Sequence, residues 1–186
     1  APVTISGSKN CICEGQPVTF TLNKIENSEY RWEAPGGFFL TTKDTTLTFK
    51  NPLPGTYKVT TFVFGCETTI DTFDLTIVPY PVADITTDKQ PIICKGDWIT
   101  MTTPYDENYE YEWTTVYERK NTIRDNPPVS KWYYLTVTNE CDCVSRDSIF
   151  IEVRENPTVS ITTEGEFPIC EGDTITLIAN PSETVS

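Results

Sequence analysis

The stretch Ile93-Cys94-Lys95-Gly96-Asp97-Trp98-Ile99-Thr100-Met101 occurs in three versions along the chain. An earlier copy reads Ile12-Cys13-Glu14-Gly15-Gln16-Pro17-Val18-Thr19-Phe20, and a later one reads Ile169-Cys170-Glu171-Gly172-Asp173-Thr174-Ile175-Thr176-Leu177. In each, a cysteine and a glycine turn precede a run whose apolar residues fall at every second position. That period of two places Val18 with Phe20, Ile99 with Met101 and Ile175 with Leu177 on an inward face, and threonines on the wet one.

Working outward, each copy follows a proline-led, threonine-rich segment beginning at Pro2, Pro81 or Pro157. Trp32 follows Cys13 at the same distance as Trp113 follows Cys94. Beyond them, Tyr57-Lys58-Val59 and Tyr133-Tyr134-Leu135 alternate in the same way and lead to further cysteines. Repeats of this length are autonomous or stacking units. The chain reads as repeat 1 over 1–80, repeat 2 over 81–156 and the first part of a third over 157–186.

Tyr30-Arg31-Trp32 and Tyr109-Glu110-Tyr111-Glu112-Trp113 alternate aromatic with charged residues, which sends both tryptophans into a core. Turns are marked by Pro35-Gly36-Gly37, by Asn51 to Gly55, by Thr103-Pro104 and by Asn126-Pro127-Pro128. No stretch has helical spacing. Short strands at this interval around a buried tryptophan indicate all-β architecture: immunoglobulin-like or PKD-like sandwiches in tandem. The joints Val78-Pro79-Tyr80-Pro81 and Glu155-Asn156-Pro157 are short and stiffened by proline, so the sandwiches are expected end to end. A third repeat with only its opening strands cannot close a core, so the natural protein is expected to continue beyond Ser186.

Charge and composition remove several function classes. A formal charge of −13 on 186 residues is unsuited to polyphosphate or an anionic membrane, which need clustered Lys and Arg. With no histidine in the sequence, Ser-His-Asp and Cys-His catalysis are excluded, along with the commonest metal ligand. No apolar run approaches a membrane span, and the N-terminus carries no signal peptide. Enzymatic activity is not expected.

Seven cysteines in a small β protein point to disulfides and an oxidising, extracellular setting. By position in the repeat, the simplest pairing is Cys13 with Cys66 and Cys94 with Cys143, one staple per sandwich. Cys141 competes with Cys143 for that partner. Cys11 and Cys141 are left over, as spare thiols, an intermolecular cross-link or metal ligands, and Cys170 lacks a partner in its own incomplete repeat. Asp106, Glu107 and Asn108, with Glu110 and Glu112, offer oxygen ligands to calcium, though in no EF-hand-like spacing. Trp98 falls on an outward position near Tyr105, where an exposed ring can stack on a sugar or dock on a neighbouring chain.

With these motifs in view, the chain resembles the tandem immunoglobulin-like/PKD-like repeats of large secreted Bacteroidetes surface proteins, including gliding-motility adhesins exported by type IX secretion. The resemblance rests on Ile12-Cys13-Glu14-Gly15 and its two counterparts, Tyr30-Arg31-Trp32, Tyr111-Glu112-Trp113, Gly55-Thr56-Tyr57-Lys58-Val59 and Cys143 to Ser148. It implies an extracellular stalk, adhesive segment or filament at the bacterial cell surface, whose partners are other repeats, surface glycans or neighbouring chains. It also implies O-glycosylation at Asp-Ser/Thr sites, here Thr45, Ser148 and Thr174. Two other functions are compatible with the same residues: a carbohydrate-binding accessory region of a polysaccharide-degrading enzyme, and a subunit of a donor-strand polymer.

Overall fold

A computed structural model describes residues 4–7, 9–165 and 168–181. The described chain is all-β, interrupted by one 3₁₀ turn at Pro35–Gly37. Its contacts divide it into two compact units. The first takes the chain up to Ala83 together with Tyr105–Tyr111 and Thr136–Arg146. The second takes Asp84–Pro104, Glu112–Leu135 and the chain from Asp147 onward.

The first unit contains β1 (Ile5–Gly7), β2 (Cys11–Cys13), β3 (Val18–Leu22), β4 (Ser28–Ala34), β5 (Phe38–Thr42), β6 (Thr46–Phe49), β7 (Gly55–Val63) and β8 (Cys66–Val78). A three-stranded sheet in the order β1-β3-β6 and a five-stranded sheet in the order β2-β8-β7-β4-β5 enclose the core. On β3, Val18, Phe20 and Leu22 are buried while Thr19 and Thr21 are exposed, as the period of two requires. They meet Tyr30, Trp32, Tyr57 and Val59 from the larger sheet. Phe20 lies 4.7 Å from Tyr57 and 6.0 Å from Trp32, ring centre to ring centre. The Tyr57 hydroxyl donates to the Leu53 carbonyl at 2.8 Å, tying the strand start back to the preceding turn in the manner of a tyrosine corner.

The second sandwich is built from β9 (Thr86–Thr87), β10 (Ile92–Cys94), β11 (Ile99–Thr102), β12 (Glu110–Trp113), β13 (Thr122–Asp125), β14 (Lys131–Thr138) and β15 (Val144–Arg154). Its sheets run β10-β15-β14-β12 and β13-β11-β9. Ile93, Ile99, Met101, Trp113, Ile123, Tyr133, Leu135 and Ile151 are buried. The Trp113 indole N–H donates to the Lys120 carbonyl at 2.8 Å. Burial and the Asp125 carboxylate push the Tyr133 hydroxyl far above its ordinary pKa, and it donates to that carboxylate.

The third repeat supplies β16 (Val159–Glu164) and β17 (Thr176–Pro181), an antiparallel pair in a sheet of their own. The alternation in its sequence predicts an inward Leu177, yet that side chain is 63% exposed. The pattern is intact, but a single two-stranded sheet has no facing sheet to bury it.

Candidate functional site

β2 and β10 are three-residue strands that run parallel to the last strand of their own repeat. Cys13 stands in register with Val78 on β8, and Cys94 with Arg154 on β15. The chain then turns at once. In the first repeat the Gln16 amide donates to the Cys13 carbonyl at 3.1 Å; in the second the Asp97 amide donates to the Cys94 carbonyl at 3.0 Å. Gly15 and Gly96 adopt φ of 79° and 95°, in the left-handed region open to glycine, which is why each cysteine is followed by a residue and then a glycine.

This geometry corrects the expected disulfide pairing. Cys66 begins β8, whereas Cys13 lies beside the far end of that strand at Val78. A twelve-residue stretch of strand spans roughly 40 Å at about 3.3 Å per residue, whereas a cystine needs Cα atoms within about 7 Å. Cys94 and Cys143 are separated along β15 in the same way. The structure instead joins Cys11 to Cys141 and Cys13 to Cys143, with Cα–Cα distances of 5.5 and 5.6 Å. Cys66, Cys94 and Cys170 are free, exposed thiols. The leftover cysteines of the sequence reading are thus structural.

Both cystines lie inside the first compact unit, which takes in the turn between β14 and β15. They link the first sequence repeat to the second. Cys13, Cys141 and Cys143 are buried, with Cys11 and Val78 packed against them. Asn139, itself buried, organises the turn. Its side-chain oxygen accepts the backbone N–H of Cys141 and of Cys143, each at 3.0 Å, and its amide donates to the Pro79 carbonyl at 3.1 Å. Lys9 and Asp142 form an ion pair beside it. The sequence signal for this arrangement is the match between two Cys-x-Cys doublets: on β2 the spacing of two puts Cys11 and Cys13 on one face, while Cys141 and Cys143 lie in the turn that Asn139 organises.

The other predicted site residues are not gathered together. Trp98 is 51% exposed with the Arg124 guanidinium 4.8 Å above its ring. Tyr105 is exposed and stacks on Tyr111 at 6.5 Å. The two fall in different compact units. Asp106 uses its carboxylate to accept the Asn108 backbone N–H at 2.9 Å, closing a local turn. Among the described residues, no group of three or more His, Cys, Asp or Glu side chains is placed to hold a metal. Ser148 and Thr174 are exposed and Thr45 half-buried. One cluster goes beyond the sequence reading: Trp132, Tyr134 and Phe150 form an exposed aromatic row, with Trp132 6.4 Å from Tyr134 and 5.4 Å from Phe150. Their outward direction follows from the inward Tyr133 and Leu135 between them.

Fold and junction together define a class: an all-β protein of tandem immunoglobulin-like/PKD-like sandwiches, cross-linked between repeats. Residues 2–65 match the family model of the PKD domain. No curated protein matches the chain in sequence. Among solved structures it is similar to the N-terminal eight Ig domains of Down Syndrome Cell Adhesion Molecule, with a TM-score of 0.61 at 11% identity over 97% of this chain and 28% of that one. It is also similar to the C-terminal 282-residue fragment of intimin in complex with the translocated intimin receptor's intimin-binding domain, with a TM-score of 0.52, 11% identity, 87% of this chain and 67% of that one. A third is a chain of the mouse coronavirus receptor-binding domain complexed with its murine receptor, with a TM-score of 0.50, 13% identity, 82% of this chain and 100% of that one. At these identities the likeness is one of fold.

Proposed function

We propose that this chain is a structural and adhesive segment of a long extracellular multi-repeat protein at a bacterial surface, of the type IX-exported, gliding-adhesin kind. The observation that carries this reading is the double cystine between successive repeats. A sandwich needs no such link to fold, whereas in a chain under tension the cystines hold 130 residues of sequence out of the load path. The negative charge keeps such a chain soluble, and stable cystines belong to an oxidising compartment. No helix among the described residues is long and apolar enough to cross a membrane.

The test is mechanical. Pulled from its two ends, the oxidised chain should withhold roughly 450 Å of contour length, at about 3.5 Å per residue, that dithiothreitol releases. Equal extension with and without reductant overturns the load-bearing role. Antibody labelling of intact source cells checks the location, and signal only after permeabilisation rejects a surface protein.

A second reading, glycan binding, is favoured by the exposed row of Trp132, Tyr134 and Phe150. Flat aromatic rings on a sheet face stack on sugar rings. Binding on a glycan array that Trp132→Ala abolishes would support it, and loss on Trp98→Ala would place the contact at the other exposed tryptophan.

A further inference from the structure

Three exposed aromatic rings of the second repeat occupy positions that the first repeat fills with polar side chains. Tyr133 is the counterpart of Tyr57, so Trp132 and Tyr134 stand where the first repeat has Thr56 and Lys58. Asp147 is the counterpart of Asp71. Each carboxylate accepts the amide of an isoleucine in its repeat's opening segment, Asp71 from Ile5 at 2.6 Å and Asp147 from Ile85 at 2.8 Å. Phe150 therefore stands where the first repeat has Asp74. In the first repeat these positions form polar pairs: the Thr56 hydroxyl donates to the Asp74 carboxylate at 2.6 Å and the Lys58 ammonium to Glu33 at 3.4 Å. Buried positions on the same strands stay apolar in both repeats, Val59 matching Leu135 and Leu75 matching Ile151. The sandwich does not require the aromatic row, and its three members depart from the polar pattern together.

Trp132, Tyr134 and Phe150 are 49%, 51% and 41% exposed. With about half of the 150–250 Å² that an aromatic side chain can bury, three such rings offer roughly 300 Å². A stable protein interface takes about 800 Å² from each partner. A sugar chain needs less, because each pyranose lays its C–H face on a single aromatic ring and turns its hydroxyls aside. Hydroxyl side chains are placed to meet them. Thr114, whose amide donates to the Tyr134 carbonyl at 3.2 Å, is exposed, and so is Ser148, two residues from Phe150 on β15. Glu152, two residues on the other side, is held by Arg154 at 2.8 Å. A chain of formal charge −13 also repels an acidic polymer. The planes of Trp132 and Tyr134 are inclined by 23°, but those of Trp132 and Phe150 by 52°. The flat face of a crystalline polysaccharide cannot lie on all three rings, whereas a single chain turns about its glycosidic bonds to follow them.

We infer that the Trp132, Tyr134 and Phe150 row binds one uncharged polysaccharide chain, in preference to a crystalline surface or an acidic polymer. This rests on the glycan-binding reading above and names the class of glycan that the row takes.

The experiment uses the full chain. It is titrated by calorimetry with cellohexaose, xylohexaose, mannohexaose and polygalacturonate, and is spun down with microcrystalline cellulose. At least one neutral hexaose should bind saturably, polygalacturonate should give no binding, and the crystalline polymer should not deplete the chain from solution. Trp132→Ala should weaken the hexaose roughly tenfold or more. Trp132→Thr combined with Phe150→Asp installs the pair that the first repeat already carries at Thr56 and Asp74, so it should abolish binding while circular dichroism and urea unfolding show the sandwich intact. Trp132-dependent adsorption to crystalline cellulose, or tighter binding of polygalacturonate, overturns this inference and leaves glycan binding standing. Hexaose binding that Trp132→Ala leaves unchanged overturns it as well. Silence of every glycan, here and on the array, removes both readings.

Discussion

Asn139 bears on more of the junction than any other single side chain, because it serves two buried amides and one carbonyl at once. Asn139→Ala would strand the Cys141 and Cys143 amides. It should cost about 2–4 kcal/mol in urea unfolding of the oxidised protein, with Asn139→Asp milder because it keeps the acceptor oxygens. Asp125 makes the stability depend on acid. Burial pushes its carboxyl up, but hydrogen bonds from Tyr133, Lys131 and the Asn126 amide outweigh it and hold the pKa below the usual carboxylate range. A carboxyl depressed on folding stabilises above its unfolded value of about 3.9 and loses that contribution as pH falls through the folded value. Asp125→Asn should therefore lower stability at pH 7 by about 1–2 kcal/mol and flatten its decline below about pH 4, measured by thermal melts across pH. At this scale the sequence was transparent for Trp32, Trp113, Tyr57 and Tyr133, whose alternation with polar neighbours announces burial. It was opaque for Asn139, whose value lies in where a turn places one amide.

Among the elements, alternation revealed β3, β4, β11, β12 and β14, and the start of β7 at Tyr57 and Val59; beyond it Thr60 and Thr61 are both buried, which alternation does not predict. It missed the contribution of β5, where Phe38, Phe39 and Leu40 are all exposed and no period of two exists to read. The parallel seats of β2 and β10 were hidden for a different reason: three residues hold too little pattern to say which strand they join. The β16–β17 pair shows a correct pattern without its burial. With Val159, Ile161 and Leu177 exposed, its amides should exchange with deuterium far faster than those of β4 and β7. Protection there equal to that of β4 in the isolated chain would show that the hairpin has found a covering surface.

For the molecule as a whole, the cystines close loops of 130 residues in sequence separation. In the chain-entropy model the first such closure contributes about 5 kcal/mol at 25 °C, and the second, whose loop overlaps it almost entirely, far less. Replacing Cys11 and Cys141 together, or Cys13 and Cys143 together, should thus shift the urea midpoint modestly. Removing all four should lower the stability of the junction by about 5 kcal/mol. Equal and additive losses from the two pairs would show that each cystine also relieves or imposes local strain.

The order of residues by itself determined the repeat, the all-β class, the inward tryptophans and the oxidising chemistry of the cysteines. All of these follow from local periodicity and composition, which act over a few residues. Which cysteine meets which was decided only by tertiary structure. Pairing depends on strand direction and on the end of the sandwich at which each thiol emerges. Because β2 runs parallel to β8, Cys13 is carried to the end opposite Cys66, and the bond crosses from one repeat to the next.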